Sequence, residues 1–162
     1  MLYVYPNFGT VLFLPEVIKT FLKFQQKMPE DKEAGGYLLG KLFDKQLVIE
    51  VATEPGLNDL RNRYFVMRNR LIGNKILSKL WRRSKGELFL AGEWHTHPES
   101  KPSPSAYDRT EIIKSFTNNY YPLKFMSVAI IGNGPIAKTW IGIQNSSGLS
   151  SLNRGGYQLW NL

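Results

Sequence analysis

Apolar positions along the chain mostly alternate in short runs, and in three places they switch to a helical spacing. LYVY and TVLFL near the start predict strands. LPEVIKTFLKFQQKMPED predicts a helix, with Pro15 in its first turn and Val17, Ile18, Phe21 and Phe24 on one side. AGGYLLGKLF and QLVIEVATE predict paired strands turning at DK, and RYFVMR predicts a further strand. RLIGNKILSKLWRRS places Leu71, Ile72, Ile76, Leu80 and Trp81 on one helical face with basic residues opposite. GELFLAGEWHTH reads as a strand, PESKPSP as a loop and SAYDRTEIIKSF as a short helix. KFMSVAIIG, IAKTWIGI and GYQLWNL then close the sheet. Strands mixed with about three helices predict an α/β or α+β class built around one sheet.

A length of 162 residues predicts one domain, residues 1–162, and 43% hydrophobic with 21% charged residues is ordinary for a globular chain. With no cysteine, disulfides, zinc ribbons and thiol nucleophiles are excluded. The N-terminus lacks an early basic residue and a small-residue cleavage site, so no signal peptide is expected. FMSVAII, the longest apolar stretch, is too short to span a bilayer, and the expected location is the cytoplasm. The net charge of +8 is concentrated: residues 61–85 hold nine Lys or Arg and no Asp or Glu. Such a block implies either an acidic surface on a partner or a well-solvated face.

Both histidines fall in one short stretch, GEWHTHPESKPSPSAYD. On a strand, His95 and His97 project to the same side and Trp94 and Thr96 to the other. Two imidazoles need at least one more ligand, and the proline-rich loop brings back Asp108 as the candidate. Two His, one carboxylate and an open position occupied by water describe a catalytic zinc site, whereas a closed structural site takes four protein ligands. The plain alternatives are a pair of packed or exposed histidines, and a capping box in which Ser105 starts the helix and Asp108 closes it. A hydrolytic zinc also needs a base, and with no third histidine a carboxylate must serve. Glu33, beside Gly35 and Gly36 where backbones approach closely, is the first choice. Glu93 shares strand parity with both histidines and is the second.

Together these residues resemble the JAMM (MPN+) metallopeptidase pattern: an upstream Glu, His-[Ser/Thr]-His-Pro, six residues, Ser, two residues, Asp. It reads here as Glu33, His95-Thr96-His97-Pro98, ESKPSP, Ser105, AY, Asp108. The resemblance covers roughly residues 30–145. It implies an MPN/JAB-type fold with one mostly antiparallel sheet and about three helices. It also implies one zinc per chain, with a bound water, on His95, His97 and Asp108. Glu33 would carry a proton from that water to the leaving amine, and Ser105 would stabilise the oxyanion.

The chain has neither the length nor the Cys/His ligands of the larger deubiquitinating members and looks like a compact prokaryotic one. EAGGYLLG, TEPGLNDLRNRYFVMR and GEWHTHPE resemble the bacterial JAB-type peptidases encoded with CBASS antiphage systems. That resemblance implies a protein substrate with a flexible C-terminal tail, a cyclic-oligonucleotide synthase joined through its C-terminus to an amine. Two alternatives remain. One is a processing peptidase for a ubiquitin-like or sulfur-carrier protein. The other is a basic module binding an acidic partner or nucleic acid, although no nucleic-acid-reading motif accompanies the basic block.

Overall fold

A computed structural model describes residues 1–155. The strand expected at GYQLWNL lies outside the described residues. Eleven strands fall in chain order at Leu2–Tyr5 (β1), Gly9–Phe13 (β2), Gly35–Phe43 (β3), Gln46–Ala52 (β4), Leu60–Asn62 (β5), Phe65–Met67 (β6), Phe89–Thr96 (β7), Met126–Ile131 (β8), Trp140–Asn145 (β9), Gly148–Ser151 (β10) and Asn153–Arg154 (β11). The helices are Pro15–Lys23 (α1), Arg70–Arg83 (α2) and Ala106–Asn118 (α3), with a short 3-10 turn at Ile136–Lys138.

Nine strands form one sheet in the order β10-β9-β8-β7-β3-β4-β2-β1-β11. Six of its eight neighbouring pairs are antiparallel; β2–β4 and β7–β8 are parallel. This is the mixed, mostly antiparallel α+β sheet with three helices that the sequence predicts. The β3–β4 hairpin turns at Asp44-Lys45 as expected, with Phe43 opposite Gln46 and Asp44 at φ 50°.

The core has two parts, one on each face of the sheet. Val17 and Phe21 of α1 pack with Phe13, Leu38, Ile49 and Trp94 on one face. Ile112 of α3 packs with Met126, Val128 and Ile130 on the other. The second face is also the one to which His95 points, because His95 pairs with Ile130 across β7–β8. The parallel β7–α3–β8 crossover therefore lays α3 beside the histidines.

Three elements differ from the sequence expectation. α1 stops at Lys23, with Phe24 as its C-cap, eight residues short of the end of the predicted segment at Asp31. Gln25 and Gln26 are buried and act as clamps instead. Gln25 Nε2 donates to the carbonyls of Gly132 and Gly134, both at 2.8 Å. Gln26 Nε2 donates to Asp31 and Arg63 carbonyls at 3.2 and 2.7 Å. RYFVMR supplies β6, but β6 pairs only with β5 in a separate two-stranded hairpin.

The contact face of α2 also differs. Its only buried residue is Gly73, where an added Cβ would lie 2.6 Å from Tyr37 Oη. A glycine inside a helix costs about 1 kcal/mol relative to alanine, and here it permits that close approach. With Gly73 at the contact, Leu71 lies roughly 160° around the helix and is 76% exposed. Trp81 lies on the flank and is 55% exposed.

Candidate metal centre

Glu33 lies two residues before Gly35, the first residue of β3, which pairs with His95 of β7. The approach needs a glycine: a Cβ on Gly35 would come within 2.9 Å of the Trp94 carbonyl of β7. Thr96, between the two histidines, faces away from them and fixes the neighbour of Glu33. Ala34 N donates to Thr96 Oγ1 at 2.9 Å, and Thr96 Oγ1 donates to Gln26 Oε1 at 3.0 Å. The Thr96 N–H donates to the Ala34 carbonyl at 2.8 Å. From the other side, the β5–β6 hairpin holds the Glu33 backbone. Glu33 N donates to Asn62 O at 2.7 Å, and Arg61 Nε donates to Glu33 O at 2.6 Å.

The imidazoles converge as strand alternation predicts, with His95 Nε2 3.1 Å from His97 Nε2. His97 lies just past β7 and is tied to β8 by donating its N–H to Ile131 O at 2.9 Å. The loop after it is pinned, because Asn133 Nδ2 donates to Pro98 O at 2.8 Å. Ser105 then caps α3. Its Oγ accepts from Asp108 N at 3.1 Å, and its N–H donates to Asp108 Oδ2 at 2.7 Å, a complete capping box. That cap presents the Asp108 carboxylate to both rings: Oδ1 is 3.4 Å from His95 Nε2, and Oδ2 is 3.3 Å from His97 Nε2. The capping and site positions of Ser105 and Asp108 therefore coincide.

These spacings suit a metal. Ligand nitrogens and oxygens about 2.0–2.1 Å from a tetrahedral zinc lie roughly 3.3–3.4 Å apart along the edges of the tetrahedron. Glu33, His95 and His97 also offer ligand atoms that all lie within 4.8 Å of one another. Each carboxylate thus approaches the imidazole pair, Asp108 at both rings and Glu33 within the wider span, and geometry alone makes both eligible.

Their electrostatics separate them. Burial, the largest influence, and the charge of Asp108 raise the Glu33 carboxyl, His97 and Arg61 pull it down, and the balance lies at about 7. Burial also opposes ionisation of Asp108, but hydrogen bonds from His95 and His97 outweigh it and hold Asp108 well below the usual carboxylate range. Burial disfavours the charged His97 ring, yet the hydrogen bond and charge of Asp108 raise its pKa overall. The surroundings thus favour the ionised form of Asp108 beside the imidazoles, whereas the Glu33 carboxyl titrates close to neutral pH.

Glu93, the second base candidate, is buried on the same face but committed. Its Oε2 pairs with Arg68 Nη2 and accepts from Ser115 Oγ at 3.0 Å. The guanidinium and the hydroxyl both engage that same oxygen.

The basic block divides in two. Arg61, Arg63 and Arg68 turn inward onto backbone carbonyls of Glu33, Met28 and Gly36. Arg70, Lys75, Lys79, Arg82, Arg83 and Lys85 remain exposed along or just beyond α2. Sequence reasoning missed the inward arginines, Gln25, Gln26 and the role of Thr96.

A zinc-peptidase-like cluster on a mixed sheet defines a JAB-type metallopeptidase site. The sequence profile of the family described as "Prokaryotic homologs of the JAB domain" matches residues 16–141, and the chain belongs to that family. It is 32% identical over 144 residues to an Escherichia coli (strain TW11681) protein named CD-NTase/cGAS isopeptidase, covering 89% of this chain and 88% of that one. A Vibrio cholerae protein of the same name is 32% identical over 132 residues, covering 82% and 80%. A Pseudomonas aeruginosa protein of that name is 40% identical over 99 residues, covering 61% and 63%. The solution structure of protein DSY2949 from Desulfitobacterium hafniense shares the fold, with a TM-score of 0.58 at 20% identity over 87% of this chain and 88% of that one.

Proposed function

We propose that this chain is a zinc-dependent isopeptidase. It hydrolyses the bond between the C-terminal tail of a conjugated protein and an amine, and so releases a CBASS cyclic-oligonucleotide synthase. The carrying observation is the meeting of His95, His97 and Asp108 at zinc-like spacing beside the near-neutral carboxyl of Glu33. The names of its E. coli and V. cholerae relatives support the substrate class. The reaction belongs in the cytoplasm. Among the described residues, no helix is long and apolar enough to cross a membrane.

His95, His97 and Asp108 would hold one zinc. When bound, the metal supplies Lewis acidity, which makes water a nucleophile near neutral pH and polarises a carbonyl. Glu33 removes a proton from the attacking water and returns it to the departing amine. Ser105 uses a lone pair of Oγ to cap α3, so its O–H proton remains available for the developing oxyanion.

Ser105→Ala is therefore expected to act twice. Losing the cap should cost about 1 kcal/mol in denaturant unfolding. Losing the donor should slow turnover by about 10²–10³-fold. The stability loss without the rate loss would confine Ser105 to capping.

The exposed basic face of α2 is the proposed contact for the folded body of the substrate. α2 leaves the β5–β6 hairpin at the rim of the site, and beside it runs a groove of about 600 Å³ lined by Leu39, Leu77, Trp81, Phe89 and Tyr120. Rim charges chiefly change association rate and its salt dependence. Reversing Arg82 and Arg83 to Glu should raise KM and change its salt dependence while sparing kcat. No change in either would leave α2 a solvated face. Salt-sensitive nucleic-acid binding lost in that variant would favour the basic-module reading.

The substrate assignment is tested by offering the purified protein three fusions: a synthase conjugate, a ubiquitin-like precursor and a sulfur-carrier precursor. Preferred cleavage of the synthase conjugate is expected. Preference for either precursor would replace it with the processing-peptidase reading.

A further inference from the structure

The site is assembled from four separate elements: β3 after Glu33, β7 with the histidines, α3 with Asp108, and the β5–β6 hairpin that grips the Glu33 backbone. One buried polar cluster touches all of them or their immediate extensions. Arg68 follows β6 directly and leads into α2. Its Nη1 donates to the Gly36 carbonyl of β3 at 3.0 Å, and its guanidinium lies over the Tyr37 ring at 4.9 Å. Its Nη2 pairs with Glu93 Oε2 of β7. The same Glu93 oxygen accepts from Ser115 Oγ of α3 at 3.0 Å. Tyr121 lies beside the pair; burial first, and then the charge of Glu93, hold its phenol above the usual range, so it stays neutral there.

We infer that Arg68 and Glu93 are positioning residues, which set the β5–β6 hairpin against β3 and β7 and thereby fix the aim of Glu33. The inference rests on the isopeptidase reading for its kinetic consequence, but not for its structural one. Neither side chain is placed at the reacting atoms. The hairpin is only two short strands, and among the described residues it has no ladder to the main sheet. A hairpin of that size is marginal by itself. Beyond the single backbone bond between Glu33 and Asn62, its register against the sheet rests on side-chain contacts, and Arg68 supplies one that reaches both β3 and β7. The hairpin in turn holds the Glu33 amide and carbonyl through Asn62 and Arg61. A shift of the hairpin therefore carries Glu33 with it.

A merely structural ion pair and a positioning pair are separable. Removing one partner leaves an uncompensated buried charge, and replacing both with neutral groups of similar size removes that penalty. Arg68→Met alone should lower the Tm. Arg68→Met combined with Glu93→Gln should bring the Tm back to within a few degrees of wild type. Glutamine can still accept from Ser115, so α3 and its ligand stay in place and zinc remains at one per chain.

The positioning role predicts that the double variant, though stable, keeps a kcat reduced by about 10²-fold with KM within about threefold, the scale of a misplacement near 1 Å. Arg68→Lys combined with wild-type Glu93 should recover part of that rate, because an ammonium can still bridge Glu93 and Gly36. Amide hydrogen exchange gives a reading that does not depend on cleavage. Glu33 and residues 60–67 should exchange at least tenfold faster in the double variant, with β8 and β9 unchanged. Wild-type kcat and wild-type exchange in the stable double variant would overturn the inference. Failure of the wild type to cleave any conjugate would reject the isopeptidase reading instead, and the exchange result would then decide the positioning claim alone.

Discussion

Glu33→Ala is expected to abolish nearly all cleavage while leaving zinc content and thermal stability close to wild type. The basis is the division of labour in the cluster. His95, His97 and Asp108 lie at mutual spacings of 3.1, 3.4 and 3.3 Å; on the proposed reading they would hold the metal and leave Glu33 to handle protons. General acid–base groups typically contribute about 10²–10⁴-fold, and Glu33 serves in both directions, so the upper part of that range is expected. The fold should tolerate the change, because Glu33 is held through its backbone by Asn62 and Arg61 and not through its carboxylate. Removing a buried carboxyl whose charge is disfavoured by its surroundings should not lower the Tm. The variant should still bind conjugate and accumulate as an uncleaved complex. Metal analysis, a thermal melt and cleavage of one conjugate check all three points on one preparation. Loss of zinc from the variant would make Glu33 a ligand. Cleavage near the wild-type rate would turn attention to Glu93.

His97→Ala should lose both metal and activity. His97 is buried, fixed to β8 through its N–H, and aimed at the same point as His95 and Asp108. Alanine leaves one imidazole and a carboxylate, too few ligands for a tight tetrahedral site. Zinc retained after dialysis should fall from about one per chain to nearly none, and added chelator should do the same to the wild type. Removing a group that only hydrogen-bonds a metal ligand typically costs about 10–100-fold in metal affinity, so removing a ligand itself should cost more. Full metal retention in His97→Ala would remove His97 from the site.

Much of the site is legible in the sequence because its rules are local. Strand alternation alone puts His95 and His97 on one face and buries Trp94, which is fully enclosed. Ser105 and Asp108 follow the capping-box spacing, and the structure gives that box and the approach to both imidazoles from the same two residues. Glu33 is different: it lies 62 residues before His95, and only the family resemblance joined the two with any force.

What was not legible depends on tertiary contacts. Gln25 and Gln26 follow an apolar helical run and have good helix propensity, yet their amides satisfy distant carbonyls and the helix ends before them. RYFVMR alternates like a sheet strand, but its partner, LRN, carries no apolar pattern of its own. The apolar stripe of α2 suggests that Leu71 and Trp81 face the core, whereas close packing at Gly73 rotates them outward. The basic block reads as one surface, though Arg61, Arg63 and Arg68 are engaged by backbone carbonyls of this chain. Charge along a sequence does not reveal which cations have carbonyls to face.

Hydrolysis of the bond after the last residue of a conjugated synthase's tail would mark both products. Intact masses, with cleavage run in water enriched in heavy oxygen, read those marks. A full-length synthase whose new C-terminal carboxylate carries one heavy oxygen is expected, with an unlabelled partner whose amine is restored. Glu33→Ala, assayed alongside, should give only the intact conjugate. A synthase truncated within its tail, or label on the amine partner, would contradict hydrolysis at that bond.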